Sequence, residues 1–253
     1  MLDPILQAFD TVRQTAVSAG TSLMRVPPVV RIIADRDEWA TIIYASLSPP
    51  EVDAIIEREI DFFKARGIEF EWKVYEHDEP ANLKDRLKER GFEIGEEEAF
   101  LVLDLESQPA DSIALGTTEV RRADTLEGLS DARTVWESVF EKDFAFTYNE
   151  LKNELESGSR GQVAFVAYDQ GQPVSAGRCT FDEGPFVGLY TGGTLASHRG
   201  RGFYRAVVAA RAKEAINRGK SYLTTDARPT SLPILLRHGF KRLSTTWPCV
   251  WKL

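Results

Sequence analysis

Two glycines, Gly200 and Gly202, are interleaved with Arg199, Arg201 and Arg205 between an apolar run and a long helical pattern. The segment reads Thr194-Leu-Ala-Ser-His-Arg-Gly-Arg-Gly-Phe-Tyr-Arg205. Val187 to Thr194 has the composition of a buried strand, and Phe203 to about Arg218 the periodicity of a helix. A strand, a glycine-rich turn and a helix start leave backbone N–H groups without partners and place the positive end of the helix dipole beside them. Glycine permits close backbone approach, and arginine adds charge-assisted bonds. Such a turn suits a pyrophosphate.

Spacing separates the nucleotide-binding turns. A P-loop reading of Gly219-Lys220-Ser221 fails because Glu214 occupies the first glycine position. That triplet instead reads as a helix stop. A dinucleotide fingerprint fails because Arg205 stands at its third glycine.

The run Arg199-Gly200-Arg201-Gly202-Phe203-Tyr204 resembles the R/Q-x-x-G-x-G/A motif of the GNAT acetyltransferases. The elements that follow are similar to that family too. They are a strand Ser221 to Asp226, a short helix Ser231 to His238, and the closing Gly239-Phe240. The resemblance covers residues 119–253. It implies an α/β fold with a mixed, mostly antiparallel sheet flanked by helices. It also implies acetyl-CoA as cosubstrate and transfer to a primary amine. Gly192, Gly193 and Thr194 would hold the pantetheine arm. Arg199, Gly200, Arg201, Gly202, Phe203, Tyr204 and Arg205 would hold the pyrophosphate. One departure is Tyr204, where the family usually has Gly or Ala.

The first half of the chain echoes this order. Helix 51–65 ends at Arg66-Gly67. Strand Phe70 to Tyr75, Pro80, helix Asn82 to Arg90, Gly91-Phe92 and strand Ala99 to Leu105 follow. This points to tandem GNAT-like units: a degenerate domain over 1–107 and an acetyl-CoA-binding domain over 117–253, joined by a polar linker, 106–118. Two unrelated α/β pieces with similar helix stops would read alike. Where the second unit has its glycine turn, the first has Ser48-Pro49-Pro50. Proline removes N–H donors that a phosphate needs, so one CoA per chain is expected. Residues 3–20 read as an amphipathic helix. Helices are also expected over 125–140 and 147–157, and a hairpin over Val163–Asp169 and Val174–Phe181.

The family's usual proton carriers are missing. Gly188 stands at the position of its glutamate and Leu235 at that of its tyrosine. Tyr190, on the same strand face as Gly188, reads either as a proton donor to thiolate or as a core aromatic. Asp226 reads as a cleft carboxylate or as a cap or turn residue. Ser231 reads as a CoA ligand or as the opener of the last helix. Phe140, Phe144, Phe146 and Tyr148 would line an acceptor pocket or pack as a core satellite.

A net charge of −8 argues against general nucleic-acid binding. Seven basic residues over 199–220 face Glu214 alone. Those from Arg211 to Lys220 read as a solvated helix face. His77, His198 and His238 lack metal-ligand spacing, so no metal is expected. Cys179 and Cys249 form no C-x-x-C pair and read as reduced, structural cysteines. No apolar run reaches membrane-spanning length, and the N-terminus lacks a secretory pattern. The expectation is a cytoplasmic protein acting on a small-molecule or peptide amine, without nucleic-acid or membrane partners. A homodimer is left open.

Overall fold

The computed structural model describes residues 3–15, 20–35, 39–107 and 117–253. Most of the linker lies outside this set. The chain divides into two compact units. The first comprises Met1–Leu101, Asp226–Leu236 and Lys241–Leu253; the second, Val102–Thr225 and Arg237–Phe240.

In the first unit, helix α1 (Pro4–Arg13) is shorter than residues 3–20 predict. Asp3 caps its start by accepting from the Ile5 N–H at 2.8 Å. At its end Gln14 and Thr15 turn back to carbonyls three residues earlier. Residues 16–19 are outside the described set. Strands β1 (Thr21–Val26), β2 (Val29–Ala34) and β3 (Ala40–Ala45) run antiparallel in turn. Helix α2 (Val52–Lys64) then crosses to β4 (Phe70–Tyr75), parallel to β3. Val52, Ile56, Ile60 and Phe63 of α2 pack with Ile42, Phe70 and Trp72. Helix α3 (Leu83–Glu89), the short β5 (Glu93–Ile94) and β6 (Glu98–Asp104) follow.

The second unit repeats this plan. β7 (Glu119–Arg122) precedes α4 (Leu126–Phe140) and α5 (Ala145–Ser157). The Thr125 hydroxyl caps α4 by accepting from the Gly128 N–H, worth about 1 kcal/mol. β8 (Gln162–Asp169), β9 (Gln172–Thr180) and β10 (Phe186–Thr194) are antiparallel neighbours, with β7 on β8. Helix α6 (Phe203–Asn217) crosses to β11 (Tyr222–Ala227), parallel to β10. Trp136 and Val135 of α4 pack on Ala164, Val166 and Ala176 of the sheet. After α7 (Leu232–Arg237), β12 (Lys241–Trp251) closes the chain. β12 lies in the first unit, antiparallel to β4 and β5, although it follows the second half in sequence.

One expectation about α6 is corrected. Arg211 is not on a solvated face; it is 1% exposed. Its surroundings on the helix, Val207 to Ala212, are all buried. Arg218 and Lys220 also spend their charge locally: Arg218 on Glu214 and the Arg160 carbonyl, Lys220 on the carbonyls of Asp182 and Gly184. Both cysteines are free and buried, and burial pushes each thiol up to about 12. Among the described residues, no helix is long and apolar enough to cross a membrane.

Candidate functional site

In the second unit β10 and β11 pair only over Phe186–Gly188 and Tyr222–Thr224. The Thr225 hydroxyl reaches the Leu189 carbonyl at 3.2 Å, and beyond it β10 has no paired residue on β11. On its other side β10 follows β9 through Tyr190 and resumes at Gly193, leaving Thr191 and Gly192 as a bulge. A bulge frees backbone groups from the ladder. Thr191 has φ +49°, a left-handed conformation that a β-branched residue rarely adopts. The cost is on the order of 1–3 kcal/mol, and such strain clusters at functional positions. The Thr191 Oγ1 is buried without a partner among the described residues.

The two glycines after Thr191 are demanded by packing on opposite faces. A Cβ on Gly192 would lie 3.0 Å from the Tyr204 ring and 3.4 Å from an Arg211 nitrogen. A Cβ on Gly193 would lie 2.7 Å from Val139 of α4. The strand end is pinned below. The Ser175 hydroxyl donates to the Gly193 carbonyl at 2.8 Å and meets the Thr194 hydroxyl at the same distance.

From Thr194 the chain passes through a 3-10 turn, Ala196–His198, to the glycine turn. Arg199 Nε donates back to the Thr194 carbonyl at 3.2 Å, bracing strand to turn. Gly200 and Gly202 have φ +75° and +88° with open space where a side chain would be. Gly202 caps α6 without a side-chain acceptor for the first turn. From Gly200 to Arg205 no backbone N–H has an acceptor among the described residues; Ala206 is the first, bonded to the Gly202 carbonyl. This row of donors at a helix start is an anion cradle. Arg201 reaches Asp169 at 2.7 Å and is half exposed; His198 stands 3.5 Å from the same carboxylate. Burial, and then the positive charges of Arg205 and Arg237 near it, hold the His238 pKa below the ordinary value.

Tyr204 fills the space that Gly192 vacates, and its hydroxyl bonds the Arg211 guanidinium. That guanidinium also donates to the Val207 and Arg178 carbonyls. Burial raises the Tyr204 pKa and lowers that of Arg211. The bulky residue at position 204 is thus matched by a glycine on the strand it packs under.

Tyr190 is not a core aromatic; it is 46% exposed. A Cβ on Gly188 would lie 2.6 Å from its ring and 2.9 Å from its hydroxyl. The ring also stacks on Arg178, 4.8 Å away. Asp226 is neither cap nor turn residue. It lies inside β11, groups with the first unit, and ion-pairs with Lys73 at 2.9 Å. Lys73 lies near Glu71, Glu98 and Asp226, whose charges hold its ammonium above the usual range against the opposing effect of burial. The Ser231 hydroxyl, also grouped with the first unit, donates to the Arg228 carbonyl at the start of α7. Leu235 is buried. Phe140, Phe144 and Tyr148 pack against the α4 core, whereas Phe146 is exposed.

Sequence reading missed Thr191, Asp169 and Arg178. A threonine in a strand gives no sign of positive φ. The only hint for Arg178 was a charge set in a small, buried strand segment, Ala176-Gly177-Arg178-Cys179.

Several solved structures share this fold over nearly the whole chain. One is a GCN5-related N-acetyltransferase from Kribbella flavida: 17% identity, TM-score 0.72, 97% of this chain and 93% of that one. Another is a tandem GNAT protein from the clavulanic acid biosynthesis pathway: 11% identity, TM-score 0.62, 96% and 86%. A third is a GNAT-family acetyltransferase from Colwellia psychrerythraea: 13% identity, TM-score 0.56, 98% and 96%. No family model matches the sequence, and no curated protein does. At these identities the likeness establishes the fold, which is a GNAT fold of the tandem kind.

Proposed function

We propose that the protein is an acetyl-CoA-dependent N-acetyltransferase whose second unit binds the cosubstrate. The observation that carries this reading is the conjunction of three features in one unit: parted strands β10 and β11, a strained bulge at Thr191-Gly192, and an unpartnered row of N–H groups from Gly200 to Arg205. The open edge of β10 offers backbone bonds to a pantetheine arm, and the cradle offers donors and charge to a pyrophosphate. Gly192, Gly193 and Thr194 serve the first; Arg199, Gly200, Arg201, Gly202, Phe203, Tyr204 and Arg205 serve the second.

Acetyl-CoA supplies an activated acetyl group. The reaction forms an N–C bond, breaks a C–S bond, takes a proton from the amine and gives one to sulfur. Backbone N–H groups freed by the bulge face developing negative charge without reorganisation. Tyr190 Oη carries a proton to the departing sulfur. Asp226 is given no step, because Lys73 already engages it. Gly188 and Leu235 provide no titratable group, which favours a second reading, an acyl-CoA-binding module that transfers nothing.

The test is CoA release from acetyl-CoA over a panel of primary amines. Amine-dependent release supports transfer. Tight acetyl-CoA binding with no release for any amine replaces the enzyme by the binding module.

A further inference from the structure

Among the described residues no carboxylate forms a salt bridge with Arg178. Arg178 lies on β9 with Tyr190 of β10 as its Cα partner. Its neighbour Gly177 faces α6, since a Cβ there would meet Val207 and Arg211. Ala176 packs in the α4 core. Alternation therefore puts Arg178, Tyr190 and Ala176 on the α4/α5 face, opposite α6. The phosphate cradle belongs to α6, so Arg178 is not one of its arginines.

Its surroundings are unusual for a guanidinium. Among the described residues its side-chain acceptor is neutral: Gln162 Oε1, 2.6 Å from Nη1. Its Nε is buried without a partner among the described residues. No carboxylate lies within ion-pairing distance of it among the described residues. Glu150 of α5 is near enough to favour its charge, but burial prevails and lowers its pKa. A desolvated charge of this kind is costly until an anion meets it. The exposed Tyr190 ring lies against it, 4.8 Å from ring centre to guanidinium.

We propose that the acceptor is a small amine bearing a carboxylate, and that Arg178 binds that carboxylate while the nitrogen is presented beside Tyr190. This rests on the transferase reading above. A planar guanidinium takes a carboxylate in two parallel hydrogen bonds, with Nε and one terminal nitrogen as the natural fork. Gln162 holds the other terminal nitrogen and so fixes the plane. A ligand carboxylate here would supply the direct charged partner that no described residue provides. Amines without an anionic group would leave Arg178 unpaired and be disfavoured.

The experiment is calorimetry at saturating CoA with matched probes: glycine, β-alanine and 4-aminobutyrate against ethylamine, propylamine and butylamine. Wild type and Arg178→Gln are compared, with Arg178→Lys as the charge-retaining control. The same preparations are titrated with CoA alone. Expected results are binding of at least one amino acid about tenfold or more tighter than its matched amine, loss of that preference in Arg178→Gln, partial recovery in Arg178→Lys, and unchanged CoA affinity in all three. Equal binding of amino acids and amines by wild type overturns the proposal. So does an unchanged preference in a folded Arg178→Gln. If CoA fails to bind wild type, the transferase reading falls, while the same probes without CoA still report on Arg178.

Discussion

The Tyr190 hydroxyl lies 2.9 Å from the point where a side chain on Gly188 would begin. Gly188 stands where the resemblance to the GNAT motif leads one to expect a glutamate, so a missing side chain at 188 leaves room for the Tyr190 ring. Gly188→Ala should push the ring outward. Because the ring is half exposed, stability should change by less than about 0.5 kcal/mol. Turnover should fall about tenfold or more, as in Tyr190→Phe, with little change in the Michaelis constant. Steady-state kinetics on a verified amine checks this. Wild-type turnover in both variants would remove Tyr190 from the chemistry.

Asp169 restrains Arg201 at 2.7 Å and puts a negative charge beside the cradle. Asp169→Asn should free Arg201 and tighten CoA binding. An exposed pair is worth about 0.2–1 kcal/mol, so the gain should not exceed about fivefold. Arg201→Ala should weaken binding by about 1–3 kcal/mol. Weaker binding in Asp169→Asn would mean that the carboxylate orients Arg201 and does not compete for it.

The strand–turn–helix order was legible because each piece is local: apolar run, glycines, helical period. The bulge was not, because threonine disfavours positive φ and the crowding of Gly192 and Gly193 by Tyr204 and Val139 is a tertiary contact with no local pattern. Arg211 misled because an arginine on a helix is normally solvated, whereas here three acceptors from the fold hold it. Asp226's pairing with Lys73 joins residues 153 positions apart in sequence, and β12's pairing with β4 joins residues 171 to 181 positions apart. No local pattern announces either.

In the first unit Arg31 and Glu59 form a buried bidentate pair, with bonds of 2.5 and 2.9 Å, and Arg31 stacks on Phe62 at 3.7 Å. Glu59→Gln would leave the guanidinium buried and uncompensated. The expected loss is about 3–5 kcal/mol by denaturant unfolding. A loss below about 1 kcal/mol would show that Phe62 alone supports the charge.

Glu71 is an acid whose pKa burial raises above the ordinary 4.5. Such a group holds its proton better folded than unfolded. Its contribution is complete below the unfolded value and is lost as pH rises through the folded one. Glu71→Gln should therefore melt like wild type near pH 4 and above it at pH 7. A variant less stable than wild type at pH 7 would show that the carboxylate is needed as the partner of Lys73.

The most direct test of the account is calorimetric titration with acetyl-CoA of wild type and Gly202→Glu, with Gly202→Ala beside them. Alanine adds only strain at φ +88°, whereas glutamate also adds a like charge to the phosphate cradle. Because Ser48-Pro49-Pro50 offers no second cradle, one acetyl-CoA should bind per wild-type chain. Affinity should weaken in Gly202→Ala and vanish in a folded Gly202→Glu. Two equivalents per chain, or unchanged affinity in Gly202→Glu, would contradict it.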